Sequence, residues 1–141
     1  MAESLSSKPN YIYKIVPSSA PVPLNPADLP ERLPVSAIDQ NSGFVHLSTS
    51  VQIPGTLKFF FKDDSLVFIL RIKYDAFEDK IRWEDPKAEV CGPRGGEGMF
   101  PHLYNELKLG KDEIDRVEIL ENGEGGWDAA LEKANGDWLV W

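Results

Sequence analysis

The alternation of apolar and polar positions along the chain predicts five β-strands. Tyr11–Val16 is aromatic and β-branched, which is typical of a strand. Ser65–Lys73 is almost continuously apolar, which predicts a strand that is buried on both faces. The other three predicted strands are shorter or more polar, namely Gly43–Ser48, Lys80–Glu84 and Ile114–Glu121.

Helices are predicted to begin at or near three prolines, because proline suits the first helical position: Pro26, Pro54 and Pro101. The first of these helices would be capped by Asn25 and would be short, because other prolines surround it. In the third helix, Leu103 and Leu107 are four residues apart and would face the core. A fourth helix is predicted over Trp127–Ala134.

Three segments lie outside these elements. Met1–Asn10 is small and polar, which predicts a disordered tail. Pro17–Pro34 contains six prolines, which exclude a long helix or an inner strand. Ala88–Met99 contains four glycines and predicts a mobile loop of the kind that closes over a cleft. The order of the elements predicts one mixed α+β domain over residues 11–141.

Composition and charge narrow the class of partner. The chain has 141 residues and a formal net charge of -8, which disfavours nucleic acid because its phosphates would be repelled. The longest apolar runs, such as Leu66–Leu70, are too short to span a membrane, and the start of the chain lacks the apolar segment of a secretory signal. A single cysteine, Cys91, fits a reducing compartment. We therefore expect a cytoplasmic protein whose partner is a small molecule, without nucleic acid or membrane.

The second predicted strand carries His46, one of two histidines in the chain. Val45 and Leu47 point to one face of this strand, because side chains alternate with a period of two. His46 and Ser48 share the other face, and Thr49 follows directly. We take His46 as a candidate catalytic residue and the two hydroxyl residues as candidate ligand-binding residues, since such a surface can orient a ligand or move a proton. The alternative is a core histidine bonded to backbone, with the hydroxyls capping the next helix.

The second histidine, His102, is also a candidate catalytic residue. At the start of a predicted helix, the positive end of the helix dipole would favour its neutral form, which can act as a base. Tyr104, two residues later, is a candidate ligand-binding residue. Glu84 is a third catalytic candidate, because partial burial in a strand would raise its pKa towards that of a general acid or base. The alternative for His102 is a solvent-facing residue at the helix start.

Arg71 lies inside the most apolar predicted strand, where a buried guanidinium requires an anionic partner. An internal carboxylate such as Glu84 or Asp39 would serve. A ligand carboxylate or phosphate would serve as well, which makes Arg71 a candidate ligand-binding residue.

Two other chemistries have weaker support in the sequence. His46, Glu84 and His102 have the side-chain types of a metal site, but no HxH or HxxxH spacing accompanies them, so we expect no metal. Cys91 would need a base and a lowered pKa to act as a nucleophile, and a plain loop cysteine is the alternative.

Six short motifs follow one another along the chain from Tyr11 to about Ile119: IYKI, SGFVHLST, FF, LVFILRI, RWE and FPHLY. In this order they resemble the domain-of-unknown-function family 952. The resemblance implies a compact α+β domain of two small packed sheets with short flanking helices, similar to the ADP-ribosyltransferase fold. Enzymes of that fold hold NAD in a cleft between the sheets. By this resemblance His46 with Ser48 would contact the nicotinamide-side ribose, and Glu84 would polarise it.

Two segments depart from the pattern of that family. Many of its members have a tryptophan and a glycine-aromatic segment after the first strand, where this chain has Pro17–Pro34. The tail Asn122–Trp141 looks additional, and it could cover the cleft or make a dimer contact. Both differences bear on the substrate more than on the fold.

Three functions fit these residues. The first is an enzyme or ligand-binding protein with a His/Ser/Glu cleft that takes NAD or a related nucleotide, by analogy of fold alone. The second is an acid–base enzyme (an isomerase, lyase, cyclase or hydrolase) that acts on a small metabolite without NAD, in a pocket more apolar than a nucleotide requires. The third is a non-catalytic interaction module whose two histidines are buried apart and bonded to backbone. The sequence itself requires no cofactor.

Overall fold

Residues 8–141, which the structure describes, form two antiparallel sheets of three strands each. The structure is a computed structural model. Its strands are β1 (Tyr11–Pro17), β2 (Val45–His46), β3 (Leu66–Lys73), β4 (Ile81–Glu84), β5 (Phe100–Leu103) and β6 (Ile114–Glu121). Its helices are α1 (Ala37–Ser42), α2 (Ile53–Phe60), α3 (Tyr74–Phe77) and α4 (Asp128–Ala134), with 3₁₀ turns at Pro26–Asp28 and Glu78–Lys80.

This architecture confirms the predicted α+β class with two small sheets and short flanking helices, whereas likeness to the ADP-ribosyltransferase fold stays a prediction. The predicted disordered tail Met1–Asn10 falls mostly outside the described residues, as Met1–Ser7. Within the described part, the backbone N–H of Asn10 donates to the carbonyl of Trp141 at 2.7 Å.

β3 is the central strand of the first sheet, between β1 and β6. It is buried on both faces, as its continuous apolar run predicts. Phe68 and Leu70 pack in a core shared with the second sheet, while Val67 and Ile69 pack in a separate core beneath α2 and α4. Full burial of one such side chain contributes about 1.5–3 kcal/mol, so this strand anchors both cores.

β5 is the central strand of the second sheet, between β2 and β4. β2 is only two residues long, shorter than predicted, and it pairs His46 directly with His102. Just beyond β2 the chain changes sheets, because Ser48 and Tyr13 of β1 exchange two backbone hydrogen bonds of 2.8 Å. The stretch that carries His46 therefore joins the two sheets.

The helix predicted from Pro101 is wrong, because Phe100–Leu103 forms the strand β5. The local preference of proline for a helix start is weak, and pairing with β2 on one side and β4 on the other overrides it. Pro101 has no N–H to donate, but its carbonyl accepts from the backbone of Leu47 at 3.1 Å. Leu107 lies in a turn with φ of 62°, not on a helix. The helix-dipole reason for a neutral His102 is therefore lost.

The other predicted helices are confirmed with small shifts of their ends. The Asn25 side chain accepts from the backbone of Ala27 at 3.0 Å and caps the 3₁₀ turn at Pro26–Asp28. α2 begins one residue before Pro54, and α4 matches the predicted C-terminal helix.

Helix α1 is not among the predicted elements, although its end signals are in the sequence. The Ser36 hydroxyl accepts from the backbone of Asp39 at 3.3 Å, which caps the start. Gly43 ends the helix with φ of 82°, a conformation that costs glycine little. The helix matters because it places Asp39 beside β2.

The segment Asn122–Trp141 packs on the face of the first sheet that points away from the second sheet. Trp127 and Trp138 are buried there in the core that contains Val67 and Ile69. The hydroxyl of the fully buried Tyr13 bonds both backbone groups of Val140, donating at 2.7 Å and accepting at 2.9 Å. The first sheet is thus covered on both faces.

Candidate functional site

A cavity of about 790 Å³ is lined by residues of both sheets and by the proline-rich segment. Its lining is mainly apolar and includes Val22, Leu33, Leu70, Phe100, Leu107 and Leu109. Among its few polar side chains are those of Lys14, Asp39, His46, Ser48 and His102. The two histidines therefore share one cavity.

His46 is oriented by a buried carboxylate, that of Asp39. Its Nδ1 lies 2.7 Å from Asp39 Oδ1, which also accepts the backbone N–H of His46 at 3.1 Å. The other carboxylate oxygen accepts from Lys14 Nζ at 2.7 Å. Burial acts to raise the pKa of Asp39, but the bonds from His46 and Lys14 outweigh it, so the pKa is lowered and the group stays ionised.

His102 has a carboxylate of its own, that of Glu84. Its Nδ1 lies 3.0 Å from Glu84 Oε1, and both residues are buried. The hydroxyl of Tyr104 donates to the same oxygen at 2.5 Å. Burial first, and then this bond to Glu84, raise the pKa of Tyr104 to about 12, so the phenol keeps its proton and remains a donor.

The raised pKa expected for Glu84 is wrong. Burial does act in that direction, but hydrogen bonds from Tyr104 and His102 outweigh it, and the pKa of Glu84 is lowered. Glu84 is therefore a charged acceptor that orients His102, not an acid that gives up a proton near neutral pH.

The pKa of His102 is lowered, chiefly by burial. The hydrogen bond that His102 donates to Glu84 acts in the opposite direction, and the neighbouring His46 adds to the lowering. The expected neutral form of His102 is thus supported, with burial and not a helix dipole as the cause.

In both pairs the protonation of the imidazole follows from its partner. An ionised carboxylate can only accept, so Nδ1 of each imidazole must carry the hydrogen. Neither Nε2 has a hydrogen-bond partner among residues 8–141. A neutral imidazole held in this way has a free lone pair on Nε2, the form in which histidine acts as a base.

The two imidazoles lie side by side, with ring centroids 5.1 Å apart and planes at 62°. Phe44 packs against both rings, at centroid distances of 4.5 Å from His46 and 4.3 Å from His102. The strand pairing, the carboxylates and this aromatic ring together fix the positions of both imidazoles.

The structure places the other candidates at different distances from the cavity. Ser48 lines it, whereas neither Glu84 nor Tyr104 does. Both lie behind His102, which Glu84 contacts directly and Tyr104 only through Glu84. Thr49 is buried at the start of α2, where its backbone carbonyl accepts from Gln52, and its Oγ1 has no hydrogen-bond partner within residues 8–141.

Arg71 is not brought to the cavity. Its guanidinium forms two hydrogen bonds to the carboxylate of Asp115, at 3.0 and 3.1 Å, and a third to the carbonyl of Trp138 at 3.2 Å. It also stacks on the ring of Tyr11 at 3.9 Å. Arg71 thus has the internal carboxylate that we considered, although the partner is Asp115 and neither Glu84 nor Asp39.

Three residues of the site are absent from the sequence-based candidates: Lys14, Asp39 and Phe44. Lys14 interrupts an otherwise apolar strand, which is the signal that drew attention to Arg71. Asp39 follows Ser36 at the spacing of a helix cap, so its position at the start of a helix could be predicted, but its contact with His46 could not.

The two segments that depart from the family pattern have separate places. Residues of the proline-rich segment form a wall of the cavity, whereas no residue of Asn122–Trp141 lines it. The expectation that this tail covers the cleft is therefore not met.

The predicted mobile loop Ala88–Met99 lies next to the cavity in the chain. Pro86 and Lys87 line the cavity, while the glycines of Ala88–Met99 do not, and the mobility of that loop stays a prediction.

Two further findings concern metals and membranes. Within the described residues, no group of three or more His, Cys, Asp and Glu side chains is arranged to hold a metal ion. None of the helices in that same part of the chain combines the length and the apolar character needed to cross a membrane.

Comparisons with known proteins agree with this fold. A family model described as "Protein of unknown function (DUF952)" matches residues 27–117. The crystal structure of protein CC0527 from Caulobacter crescentus is similar with a TM-score of 0.62 and 26% identity, over 86% of this chain and 98% of that chain. The solution structure of CC0527 gives a TM-score of 0.59 and 28% identity, over 83% and 90% of the two chains. The comparison with curated proteins gave no match.

Proposed function

The chain belongs to the DUF952 family, and we propose that it is an enzyme that transfers protons to and from a small molecule held against His46 and His102. One observation carries the proposal: two imidazoles, each oriented by its own buried carboxylate, line the same cavity. A reaction at a carbon acid needs a base and an acid at neighbouring positions, and two oriented imidazoles supply both.

The two imidazoles have different surroundings, which suggests their roles. His102 is buried and its pKa is lowered, so it starts neutral and acts as the base. His46 is more open, and its Nδ1 is held by the ionised Asp39 with Nε2 left towards the cavity, so we assign it the role of the acid.

In the proposed reaction, Nε2 of His102 removes a proton from the carbon next to a carbonyl group. The electron pair of that C–H bond forms a C=C double bond, and the π pair of the carbonyl moves onto the oxygen, which takes a proton from Nε2 of the imidazolium form of His46. The product is an enol, and return of a proton to another carbon or loss of a leaving group completes an isomerisation or an elimination.

NAD fits the lining of this cavity poorly, so we derive no step through it. A dinucleotide carries two phosphates, which proteins hold with arginines or glycine-rich backbone. Arg71 is bonded to Asp115 elsewhere, and Lys14 is already paired with Asp39. Among the described residues that line the cavity, this leaves only Lys87 as a cation without such a pairing.

The non-catalytic alternative has less support from the geometry. It requires two histidines that are buried apart and bonded to backbone. Instead, His46 and His102 are neighbours, and each Nδ1 is bonded to a carboxylate.

The proposal is tested by hydrogen exchange at carbon. Methyl ketones in D2O would be incubated with the protein, and deuterium at the carbon next to the carbonyl would be measured by mass spectrometry. We expect the His102→Asn and His46→Asn proteins each to lose about 10²–10⁴-fold of the enzymatic exchange rate, the usual contribution of one acid or base.

A matched control variant is Phe59→Ser, which changes an exposed side chain outside the cavity and should leave the rate unchanged. Exchange that persists at the wild-type rate in both histidine variants, with the fold intact by circular dichroism, would refute the proposed function.

A further inference from the structure

We infer that the substrate of this site is an uncharged molecule with a hydrocarbon body and a single carbonyl group. The position of that polar group rests on the proposed function, since it must lie against the two imidazoles. The hydrocarbon body rests on a separate observation, the chemistry of the cavity wall.

Most of the cavity lining is apolar, although Ser36, Thr56 and Lys87 also line it besides the polar residues around the histidines. The proline-rich segment supplies Pro21, Val22 and Leu33, and the turn before β6 supplies Leu107 and Leu109. These side chains offer no hydrogen bond to a sugar, a phosphate or an amide. A polar ligand would lose its hydration there without replacement, whereas a hydrocarbon gains by leaving water.

The charges around the cavity also disfavour an anionic substrate. Glu84 is held in the ionised form beside His102. Lys14 is neutralised by Asp39 at 2.7 Å, and Lys87 lies at the exposed edge of the cavity. With a formal net charge of -8 on the whole chain, a phosphorylated or carboxylated substrate would be repelled rather than attracted.

The mouth of the cavity is apolar as well. Ile38 of α1 and Phe60 of α2 both line the cavity, yet they are 61% and 77% exposed. Exposed apolar side chains at the opening of a cavity are typical of a binding surface, because a bound hydrocarbon removes them from water. The neighbouring Phe59 is 75% exposed but does not line the cavity, so it provides an internal comparison.

The test is the binding of a homologous series of methyl ketones (hexanone, octanone and decanone) to the full-length protein, measured by NMR titration. Each added methylene that is buried should tighten binding about fourfold. The Phe60→Ser protein should bind decanone about three- to tenfold more weakly, since part of the ring's contact is lost. The Phe59→Ser protein should bind as the wild type does.

A steep dependence on chain length together with a selective effect of Phe60→Ser supports the inference. Affinity that does not change with chain length, or an equal effect of the two phenylalanine variants, overturns it. A flat series with hydrogen exchange retained would overturn the hydrocarbon body alone and leave the proposed function standing. A steep series without exchange for any ketone would keep the hydrocarbon body and refute the proposed function.

Discussion

His46 and His102 are direct partners across the strand pair β2–β5, yet their Nδ1 atoms are bonded to carboxylates from two different elements. Asp39 comes from helix α1 and Glu84 from strand β4. The backbone ladder fixes the separation of the imidazoles, while the carboxylates fix their orientation independently. Each half of the site can therefore be changed without removing the other.

Replacing Asp39 by asparagine should destabilise the protein by on the order of 3 kcal/mol, because it leaves the largely buried Lys14 without its anion. It should also slow the proposed exchange reaction, since His46 loses the carboxylate that orients its ring. Urea unfolding and the deuterium assay measure the two effects. Asp112→Asn is the control, because its ion pair with Lys108 is exposed and should contribute much less to stability. Equal losses for the two variants would contradict the buried role of Asp39.

The stability of the protein should fall as the pH is lowered through about 6.5, because of His102. Its pKa in the folded state lies below the ordinary value of 6.5, so the unfolded chain binds this proton more readily. The contribution of neutral His102 to the free energy of unfolding is complete above pH 6.5, and it decreases as the pH falls from 6.5 to the pKa of His102 in the folded state. Asp39 and Glu84, whose pKa values are also lowered, act in the same direction only below their ordinary values of 3.8 and 4.5.

Urea midpoints at about pH 7.5 and about pH 5.5 measure the dependence, and it should be smaller in His102→Asn. An NMR titration of the wild-type imidazoles gives an independent check that does not depend on the variant folding. A His102 resonance that titrates above pH 6.5 would show that the sign is wrong.

Arg71→Lys should reduce stability without changing ligand binding. Lysine cannot form the two parallel bonds to Asp115 or stack on Tyr11 in the same way, and the expected loss is about 1–3 kcal/mol. Since Arg71 lies away from the cavity, the affinity for decanone should be unchanged. Weaker ketone binding at full stability would instead restore Arg71 as a ligand-binding residue.

Gly110→Ala should destabilise the protein and distort the proline-rich wall of the cavity. A Cβ at this position would lie 2.1 Å from the carbonyl oxygen of Glu31 and 2.4 Å from that of Pro30, and neither backbone atom can move alone. The expected cost is about 1–3 kcal/mol or more, with weaker ketone binding. The control is Gly125→Ala, where a Cβ meets no atom within 4 Å. If the two variants unfold at the same urea concentration, the close approach at Gly110 is not important.

Local patterns predicted most of the strands and helices, because apolar periodicity and helix caps act over a few residues. The strand Ile114–Glu121 has the predicted ends, and β3 is buried on both faces as its sequence indicates. The failure at Pro101 has the opposite cause, since the strand there depends on two partners distant in the chain.

The candidate site was predictable in its histidines but not in its carboxylate pairing. Residue type and alternation singled out His46, Ser48 and His102 as polar positions in apolar surroundings. Which carboxylate meets which imidazole depends on how α1 and β4 pack against the second sheet, and one-dimensional spacing does not contain that information. The predicted direction of the Glu84 pKa shift was wrong for the same reason, because folding brings the two donors, Tyr104 and His102, to its carboxylate.

The pairing of Ser48 with Tyr13, which joins the second sheet to the first, limits how a substrate can reach the histidines. If the two sheets moved apart, the two 2.8 Å backbone hydrogen bonds between Ser48 and Tyr13 would break. Ser48 lies only two residues after His46 in the chain. Because Tyr13 is itself held through its hydroxyl by Val140, the C-terminal segment resists the same movement from the far side of the sheet. We therefore expect a substrate to enter without separation of the two sheets, next to the exposed side chains of Ile38 and Phe60 that line the cavity.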